Sequence, residues 1–108
     1  SRRVRGRVLF PIGLAYAQLG RHRRAITIGR EIRGTPTRAA YFTDLGRAYL
    51  DNGQEEPAVD ALRRAVLDAI AMTAREPQLA LLVRITEGFA RADRPRETLL
   101  AVQAIRDP

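Results

Sequence analysis

The sequence predicts an all-α fold in which three antiparallel helix pairs stack on one another. Three observations lead to this prediction: apolar residues recur at helical spacing, one set of residues repeats after 33 positions, and no segment sustains the two-residue alternation of a strand. The 108 residues suit one small domain, and a hydrophobic content of 45% is enough for a core. We therefore expect six helices and no sheet.

The first helix pair is predicted from residues that recur in the second pair without a gap. The recurring residues are Leu9, Ile12, Gly13, Tyr16, Gly20 and Ala25, matched by Phe42, Leu45, Gly46, Tyr49, Gly53 and Ala58. Gly20 is expected to end the first helix, because glycine readily adopts the left-handed C-cap conformation. Proline is best tolerated in the first turn of a helix, so Pro11 predicts that regular helix begins near Phe10. Residues 1–8 would then form an arginine-rich N-terminal arm or the stub of a preceding helix.

Two helical faces predict the second pair. One consists of Phe42, Leu45, Gly46 and Tyr49, and the other of Ala58, Leu62, Ala65 and Val66. The first set falls at positions i, i+3, i+4 and i+7, which lie on one side of an α-helix. The turn between the two helices is expected at Asp51-Asn52-Gly53, with Gly53 as the left-handed residue.

A weaker third copy follows 40 residues after the second. Its members are Leu82, Ile85, Thr86, Phe89, Asp93 and Thr98, with a turn at Ala92-Asp93-Arg94-Pro95. The seven residues by which this offset exceeds 33 make about two helical turns, which keeps the apolar face in register. We place them in the fourth helix, about Gln54 to Thr73, which ends before Glu76-Pro77. These residues would either protrude as a contact surface for a neighbouring domain or represent only a variation in helix length.

Small side chains at matched positions predict close helix crossings. They are Gly13, Gly46, Ala25 and Ala58, and the larger Tyr16, Tyr49 and Leu62 one turn away would fill the adjoining space. Since helices approach closely only where their side chains are small, we expect these four residues where paired helices cross.

The pattern is similar to the tetratricopeptide repeat, in which a large residue, Leu-Gly, Tyr, Ala, a second large residue and Pro follow one another at fixed spacing. The second copy matches through Phe42, Leu45-Gly46, Tyr49, Ala58 and Leu62; the first departs at Gly29 and closes with Pro36, and the third has Thr86 and Thr98 at small-residue positions. The resemblance covers a domain of residues 9–108, with repeats at about 9–37, 39–75 and 77–108. It implies a right-handed superhelical stack, and the alternatives are another α-hairpin solenoid or a plain helical bundle.

The resemblance also implies a protein–protein interaction scaffold, which binds a peptide or partner domain in a concave groove lined by the first helix of each pair. The groove residues would be Arg7, Phe10, Leu14 and Gln18, then Thr43, Asp44, Arg47 and Asp51, then Val83, Arg84, Glu87 and Arg91. Family members that clamp a terminal carboxylate use several basic residues, of which only Arg84 has a counterpart here. A mixed-charge groove suits a peptide of acidic or helical character. The alternative is that these charges form a solvated face.

The positive charge lies entirely in the first third of the chain. Residues 1–38 contain ten arginines and one acid, giving +9, whereas residues 39–108 contain nine arginines and eleven acids, giving −2. An alternative function is therefore nucleic-acid backbone binding through Arg2, Arg3, Arg5, Arg21, Arg23 and Arg24. Packing is expected to occupy the other aromatic residues, which leaves Phe10 and Tyr41 to stack on bases and argues against this function.

The residue inventory argues against catalysis. The chain has no cysteine or lysine, one histidine, His22, and one serine, Ser1, which excludes thiolate nucleophiles, cysteine-bound metals and lysine Schiff bases. His22 is expected in an exposed turn among arginines. Asp44 and Asp51 share a helix face with Arg47, which favours an ion pair over a metal site. We expect a non-enzyme without cofactor or metal.

The last helix is expected to leave an apolar surface open. Over about Arg96 to Arg106 it carries Leu99, Leu100, Val102 and Ile105, whereas terminal repeats of a solenoid need a polar outer face. We therefore expect this surface to be covered by neighbouring repeats of a longer protein, of which this chain is a fragment, or by a homo-oligomer.

No apolar run reaches the length of a membrane helix, and the absence of cysteine and of a secretory signal favours the cytoplasm.

Overall fold

Six α-helices joined by short turns make up the chain in the computed structural model, which describes residues 2–107 and the side chains of residues 8–107. The helices are α1 Arg2–Gln18, α2 His22–Glu31, α3 Thr35–Asp51, α4 Glu55–Ile70, α5 Arg75–Arg91 and α6 Pro95–Arg106. Between residues 2 and 107 there is no strand. The all-α prediction and the number of helices are confirmed.

The six helices pack as three hairpins, α1–α2, α3–α4 and α5–α6. The hairpins stack because α3 also packs against α1 and α5, and α4 packs against α5 and α6. The Cα atoms occupy 33 × 33 × 15 Å. Helix axes about 8–10 Å apart give a Cα thickness of about 13–15 Å, so the stack is two helices thick. One layer contains α1, α3 and α5, and the other contains α2, α4 and α6.

The first helix begins earlier than the sequence predicts. It starts at Arg2 rather than near Phe10, and it continues through Pro11. Proline lacks the N–H that would bond to the carbonyl of Arg7, and a proline inside a helix costs about 3 kcal/mol, which the rest of α1 outweighs. The backbone of residues 2–8 therefore belongs to α1. The side chains of Arg2, Arg3, Arg5 and Arg7 lie outside the described residues.

Equivalent turns connect the two helices of each hairpin. Gly20 and Gly53 have φ values of 76° and 72°, the left-handed conformation that their positions predict. In the third turn Asp93 takes this place with φ 54°, a conformation that aspartate tolerates better than most residues. The next backbone N–H donates to the carbonyl five residues earlier at 2.9–3.0 Å, from Arg21 to Tyr16, from Gln54 to Tyr49 and from Arg94 to Phe89. This hydrogen bond is the mark of the Schellman motif that ends a helix.

The seven extra residues lie mainly in the fourth helix, as predicted. α4 has 16 residues, whereas α2 has 10. The seventh extra residue lies in the connection to α5, because four residues, 71–74, join α4 to α5 whereas three residues, 32–34, join α2 to α3. The last turns of α4 carry Leu67, which is 70% exposed, and the exposed Ile70. The extension therefore adds apolar surface more than core.

A polar side chain on the following helix holds each connection between hairpins. Arg38 donates to the carbonyl of Ile32 at 3.2 Å, and 40 residues later Gln78 donates to the carbonyl of Met72 at 3.2 Å. Arg38 also pairs with Asp68 of α4 at 3.0 Å. These bonds satisfy carbonyls near the ends of α2 and α4 that lack partners within their own helix.

Tyr41 of α3 crosses into the first hairpin where glycines leave room for it. Its ring lies against Gly13 of α1 and Gly29 of α2, where a Cβ atom would overlap it. Its hydroxyl donates to the carbonyl of Ala25 at 2.7 Å. The sequence predicts Gly13 at the crossing of α1 with its partner α2, whereas the space that Gly13 leaves is filled by α3. Gly13 and Gly29 therefore join the first hairpin to the second.

Leu62 of α4 is held between two glycines of the other layer. A Cβ atom at Gly46 of α3 would lie 2.7 Å from Leu62 Cδ2 and 3.3 Å from the carbonyl oxygen of Ala58. A Cβ atom at Gly88 of α5 would lie 2.8 Å from Leu62 Cδ1. The predicted crossing of α3 and α4 at Gly46 and Ala58 is confirmed. The sequence pattern misses Gly88, because it aligns the third copy on Thr86.

Replacing Gly46 by leucine should destabilise the protein by about 1–3 kcal/mol, because Leu62 cannot move away from α3 without meeting α5 at Gly88. The measurement is the free energy of unfolding in urea. Ala80→Leu is the matched control, since Ala80 is exposed on α5 and the same new side chain there should change stability by less than about 0.5 kcal/mol. Equal stability of the two variants would contradict this packing.

The buried tyrosines make the fold sensitive to alkaline pH. Desolvation by burial raises the pKa of Tyr49 to about 12 and also raises the pKa of Tyr41, whereas tyrosine in an unfolded chain titrates near 10. Below pH 10 both states keep the phenol proton, and the full stability is present. Above pH 10 the unfolded chain loses its protons first, so the folded state loses stability as the pH rises toward 12.

We expect the free energy of unfolding to fall by about 1.4 kcal/mol per buried tyrosine for each pH unit above 10. Tyr49→Phe should reduce that slope, because phenylalanine has no proton to lose. Urea unfolding at pH 8, 10 and 11 measures the slope separately from any constant loss of stability caused by the substitution itself. A variant with the wild-type slope would show that Tyr49 does not set the alkaline limit.

Candidate interaction surface

The charged residues predicted for a groove pair with one another across α3 and α5. The closest approaches are 2.6 Å for Asp44 with Arg84, 3.0 Å for Asp51 with Arg91 and 3.9 Å for Arg47 with Glu87. The members of each pair are 40 residues apart, the offset that relates the second and third copies of the repeat. Equivalent positions of neighbouring repeats thus carry opposite charges. We call these three pairs the ion-pair ladder.

The signs of charge alternate along the ladder. Residues 44, 47 and 51 fall at i, i+3 and i+7 on one side of α3, and they are an acid, a base and an acid. Their partners on α5, residues 84, 87 and 91, are a base, an acid and a base. Because each charge has an opposite charge beside it, the field of the ladder largely cancels at a distance. This surface would therefore select a partner by hydrogen-bond geometry rather than attract it by net charge.

The ladder is partly open to solvent. Its side chains range from 30% exposed at Arg47 to 68% at Asp51. Ion pairs of this kind contribute about 0–1 kcal/mol each, so the ladder adds little to the stability of the stack. Arg47 also donates to the backbone carbonyl of Arg84 at 3.4 Å. The ladder pairs these charged groups while leaving part of each side chain accessible to solvent.

The ladder ends before α1. The first-copy positions equivalent to Asp44, Arg47 and Asp51 are Pro11, Leu14 and Gln18, none of them charged. Leu14 and Phe10 are half-buried, and the ring of Phe10 stacks edge-to-face on Tyr41 with centroids 5.2 Å apart. Gln18 is exposed. The predicted groove residues whose side chains are described on α1 therefore form an uncharged end to this face.

Thr43 and Val83 differ in accessibility although they occupy equivalent positions. Thr43 is wholly buried and its hydroxyl donates to the carbonyl of Ala39 at 2.8 Å, so the prediction that it meets a partner in the groove is wrong. Val83 is 44% exposed. The difference arises because α3 is covered by α1 on one side and α5 on the other, whereas within residues 2–107 α5 has a neighbour in its layer on one side only.

The α2 segment carries a group of arginines without an acidic partner. Among residues 8–107 no ion pair involves the exposed residues Arg21, Arg23, Arg24, Arg30 and Arg33. The side chains of Arg2, Arg3 and Arg5, which belong to the same predicted phosphate-binding patch, are outside the described part of the chain. Tyr41 is wholly buried, so the prediction that it is free to stack on bases is wrong.

His22 belongs to a chain of hydrogen bonds, and the prediction that it lies in an exposed turn is wrong. It begins α2, and its ring bonds to the Tyr49 hydroxyl through Nδ1 and to the Asp60 carboxylate through Nε2, both at 2.7 Å. When Nε2 carries the proton toward Asp60, the Tyr49 phenol donates to Nδ1. These two hydrogen bonds join α2, α3 and α4. No local pattern could reveal it, because its partners lie 27 and 38 residues away in the sequence.

A groove of about 230 Å³ lies between α4 and α6. It is lined by the apolar side chains of Val66, Leu67, Phe89 and Leu100, with Arg63 and Glu97 at its edge. Arg63 donates to Glu97 at 2.9 Å, and this hydrogen bond lowers the pKa of the Glu97 carboxyl. The groove has no uncompensated charge and would suit an apolar side chain.

The apolar surface predicted on the last helix is narrower than expected. Leu99 and Leu100 are 59% and 62% exposed, whereas Val102 and Ile105 are half-buried, and Ile105 packs against the core. Leu100 borders the groove between α4 and α6, so the surface continues from α6 onto Leu67 of α4. The sequence indicates the exposed leucines of α6 but not their continuity with the longer α4.

The chain matches no family model, no curated protein and no solved structure. Within the described residues, His22 and the acidic residues form no group of three or more that could hold a metal ion. None of the helices between residues 2 and 107 combines the length and the apolar character that crossing a membrane requires.

A double-mutant cycle on Asp44→Ala and Arg84→Ala should give a coupling of about 0.2–1 kcal/mol in the free energy of unfolding. The coupling should shrink in 1 M salt, where charges are screened over about 3 Å. Asp44→Ala combined with Arg91→Ala is the matched control, because these residues belong to different pairs of the ladder. A coupling that is absent, or equal to the control, would show that the ladder does not form in solution.

Proposed function

We propose that this chain is a non-catalytic scaffold that binds a peptide or a partner domain on the face formed by α1, α3 and α5. The observation that carries the proposal is the ion-pair ladder, which fixes polar side chains on that face in register with the repeat. Side chains that are already ordered lose less conformational entropy when a ligand binds, so such a face is suited to recognition.

The proposal includes a tetratricopeptide-like arrangement, in which this face is concave and the superhelix is right-handed. Three features support it: the equivalent Schellman turns, the glycines at helix crossings and the 40-residue register of the ladder. Each is what a stack of one repeated hairpin requires. A concave face would surround a peptide on several sides and bring α1 and α5 toward the same ligand.

The chemistry of the face defines the peptide it would take. The ladder offers guanidinium and carboxylate groups on α3 and α5, while Phe10 and Leu14 offer apolar surface on α1. A peptide with both signs of charge and an apolar residue at one end complements this pattern. A terminal carboxylate alone is a poor match, because Arg84 already pairs with Asp44.

The last helix supplies a second contact surface in this proposal. Leu99 and Leu100 are exposed on α6, and covering them would remove apolar area from water. Neighbouring repeats or a second copy of the chain would pack there. This surface is separate from the α1–α3–α5 face, so assembly and peptide binding would not compete.

An alternative function is binding of a nucleic-acid backbone through the N-terminal arginines. The observation in its favour is the group of exposed arginines on α2 and its flanks that form no ion pair among the described residues. The burial of Tyr41 counts against it, because single-stranded nucleic acids are commonly bound by stacking bases on aromatic side chains. We rank it below peptide binding.

The test is a selection of 12-residue peptides from a phage-displayed library on the immobilised chain. Selected peptides should bind the double variant Arg47→Ala/Arg84→Ala about tenfold or more weakly than wild type, because the ladder loses a residue from each of two pairs. The matched control is Arg63→Ala/Arg94→Ala, which removes two arginines that pair with acids on the opposite layer. It should leave the Kd within about twofold.

Equal losses in the two double variants would contradict binding on the α1–α3–α5 face.

The alternative function, nucleic-acid binding, is tested in parallel with a 20-residue oligothymidylate. A slope of log K against log salt of about −3 to −4 that becomes shallower by about 2 in Arg21→Gln/Arg23→Gln/Arg24→Gln would support nucleic-acid binding. A flat response would exclude it.

A further inference from the structure

A groove between α2 and α4 lies on the opposite layer from the ladder. It consists of two adjoining cavities of about 250 Å³ and 310 Å³, and both are bordered by Arg30 of α2 and Arg64 of α4. Arg23 and Thr27 extend the first cavity along α2. Since residues 23, 27 and 30 fall at i, i+4 and i+7, they form one side of the helix facing the groove. We call this feature the α2–α4 groove.

The α2–α4 groove carries uncompensated positive charge. Its acids are both engaged: Asp60 bonds to His22 at 2.7 Å and to Arg64 at 3.3 Å, and Asp68 pairs with Arg38 at 3.0 Å. No ion pair among residues 8–107 involves the two remaining arginines, Arg23 and Arg30. The groove thus presents two free guanidinium groups about two helical turns apart.

The α2–α4 groove also has an apolar strip. Ile26 borders the first cavity, and Phe42 and Leu67 border the second. Ile26 and Phe42 are buried, so they form the floor, whereas Leu67 is exposed and forms the rim on the α4 side. The groove therefore places one accessible apolar side chain, Leu67, beside walls that favour carboxylates.

We propose that the α2–α4 groove binds an acidic amphipathic helix of a partner protein. An apolar residue of such a helix would pack on the exposed Leu67 above the buried Ile26 and Phe42, and carboxylates two helical turns apart would receive hydrogen bonds from Arg23 and Arg30. A helix fits because the groove runs between two helices, where a third packs its ridge. This proposal concerns a different layer from the peptide site of the proposed function and does not depend on it.

The same arginines would attract a nucleic-acid backbone, but the exposed Leu67 at the rim of the groove favours a protein helix. Phosphates need no apolar contact, and bases need an exposed aromatic face for stacking. Phe42, the aromatic residue of the groove, is 2% exposed and cannot offer one. Exposed Leu67 would contact a bound protein helix but not a bound phosphate. A substitution of Leu67 therefore distinguishes helix binding from nucleic-acid binding.

The probe is a fluorescein-labelled 18-residue peptide of Leu, Glu and Ala, with leucines at i, i+3, i+4 and i+7 and glutamates beside them, read by fluorescence anisotropy. Arg23→Glu/Arg30→Glu should weaken binding by about tenfold or more, and Leu67→Gln by about fivefold. The matched controls are Arg21→Glu/Arg33→Glu, which makes the same change in net charge outside the groove, and Leu99→Gln on α6. Both should stay within about threefold of wild type.

The comparison peptide has the same composition in an order that scatters the leucines around the helix, and it should bind at least about fivefold more weakly. The proposal is overturned if neither peptide binds, if both bind equally, or if Arg21→Glu/Arg33→Glu weakens binding as much as Arg23→Glu/Arg30→Glu. It is also overturned if oligothymidylate displaces the peptide and Leu67→Gln leaves binding unchanged, because a phosphate-binding surface would then account for the affinity. Arg47→Ala/Arg84→Ala reports on the ladder: a loss equal to that of Arg23→Glu/Arg30→Glu would place the peptide on the α1–α3–α5 face and overturn the proposal.

Discussion

The stack depends on close approach of helices at glycines, where a large side chain of a neighbouring helix fills the space. Tyr41 lies against Gly13 of the first hairpin, and Leu62 lies between Gly46 of its own hairpin and Gly88 of the next. The contacts at Gly13 and Gly88 each join two hairpins, and the contact at Gly46 sets the spacing within the second hairpin. Because protein interiors are packed at nearly crystalline density, a side chain held in this way defines one spacing between helices and excludes others. The surfaces of both layers are built on that spacing.

One periodicity sets both the packing and the surface electrostatics. The Schellman turns end the first helix of each hairpin at equivalent points, so residues at equivalent positions of the second and third copies lie side by side on α3 and α5. Opposite charges at those positions give the ion-pair ladder, and the same 40-residue offset relates Arg38 to Gln78 at the connections between hairpins. The charges of the ladder on α3 and α5 are therefore neutralised by neighbours, and among residues 8–107 uncompensated charge is left on α2, which belongs to the opposite layer.

Local patterns were enough to predict the helices, the turns at Gly20 and Gly53 and the extension of α4, since each depends on residues close in sequence. They were not enough to predict contacts between hairpins. The ladder residues on α3 and α5 were identified as charges on one face, but their pairing becomes evident only when the two helices are known to be neighbours. His22 illustrates the same limit, because its partners are a tyrosine and an aspartate from two other helices. The start of α1 was missed for a different reason: the cost of Pro11 inside a helix is a free energy that the remaining turns outweigh.

The central claim is that hairpins join through side chains seated at glycines, and the most direct test is a methyl-resolved nuclear Overhauser spectrum of the folded chain. A Cβ atom at Gly46 or at Gly88 would lie within 3 Å of the Leu62 methyl groups, so the Hα protons of both glycines should give cross-peaks to these methyls. Gly46 tests the crossing within the second hairpin, and Gly88 tests the junction with the third. Cross-peaks to both glycines are the result expected here. Cross-peaks to Gly46 alone would mean that the third hairpin does not dock on Leu62, and the stack described here would be incorrect.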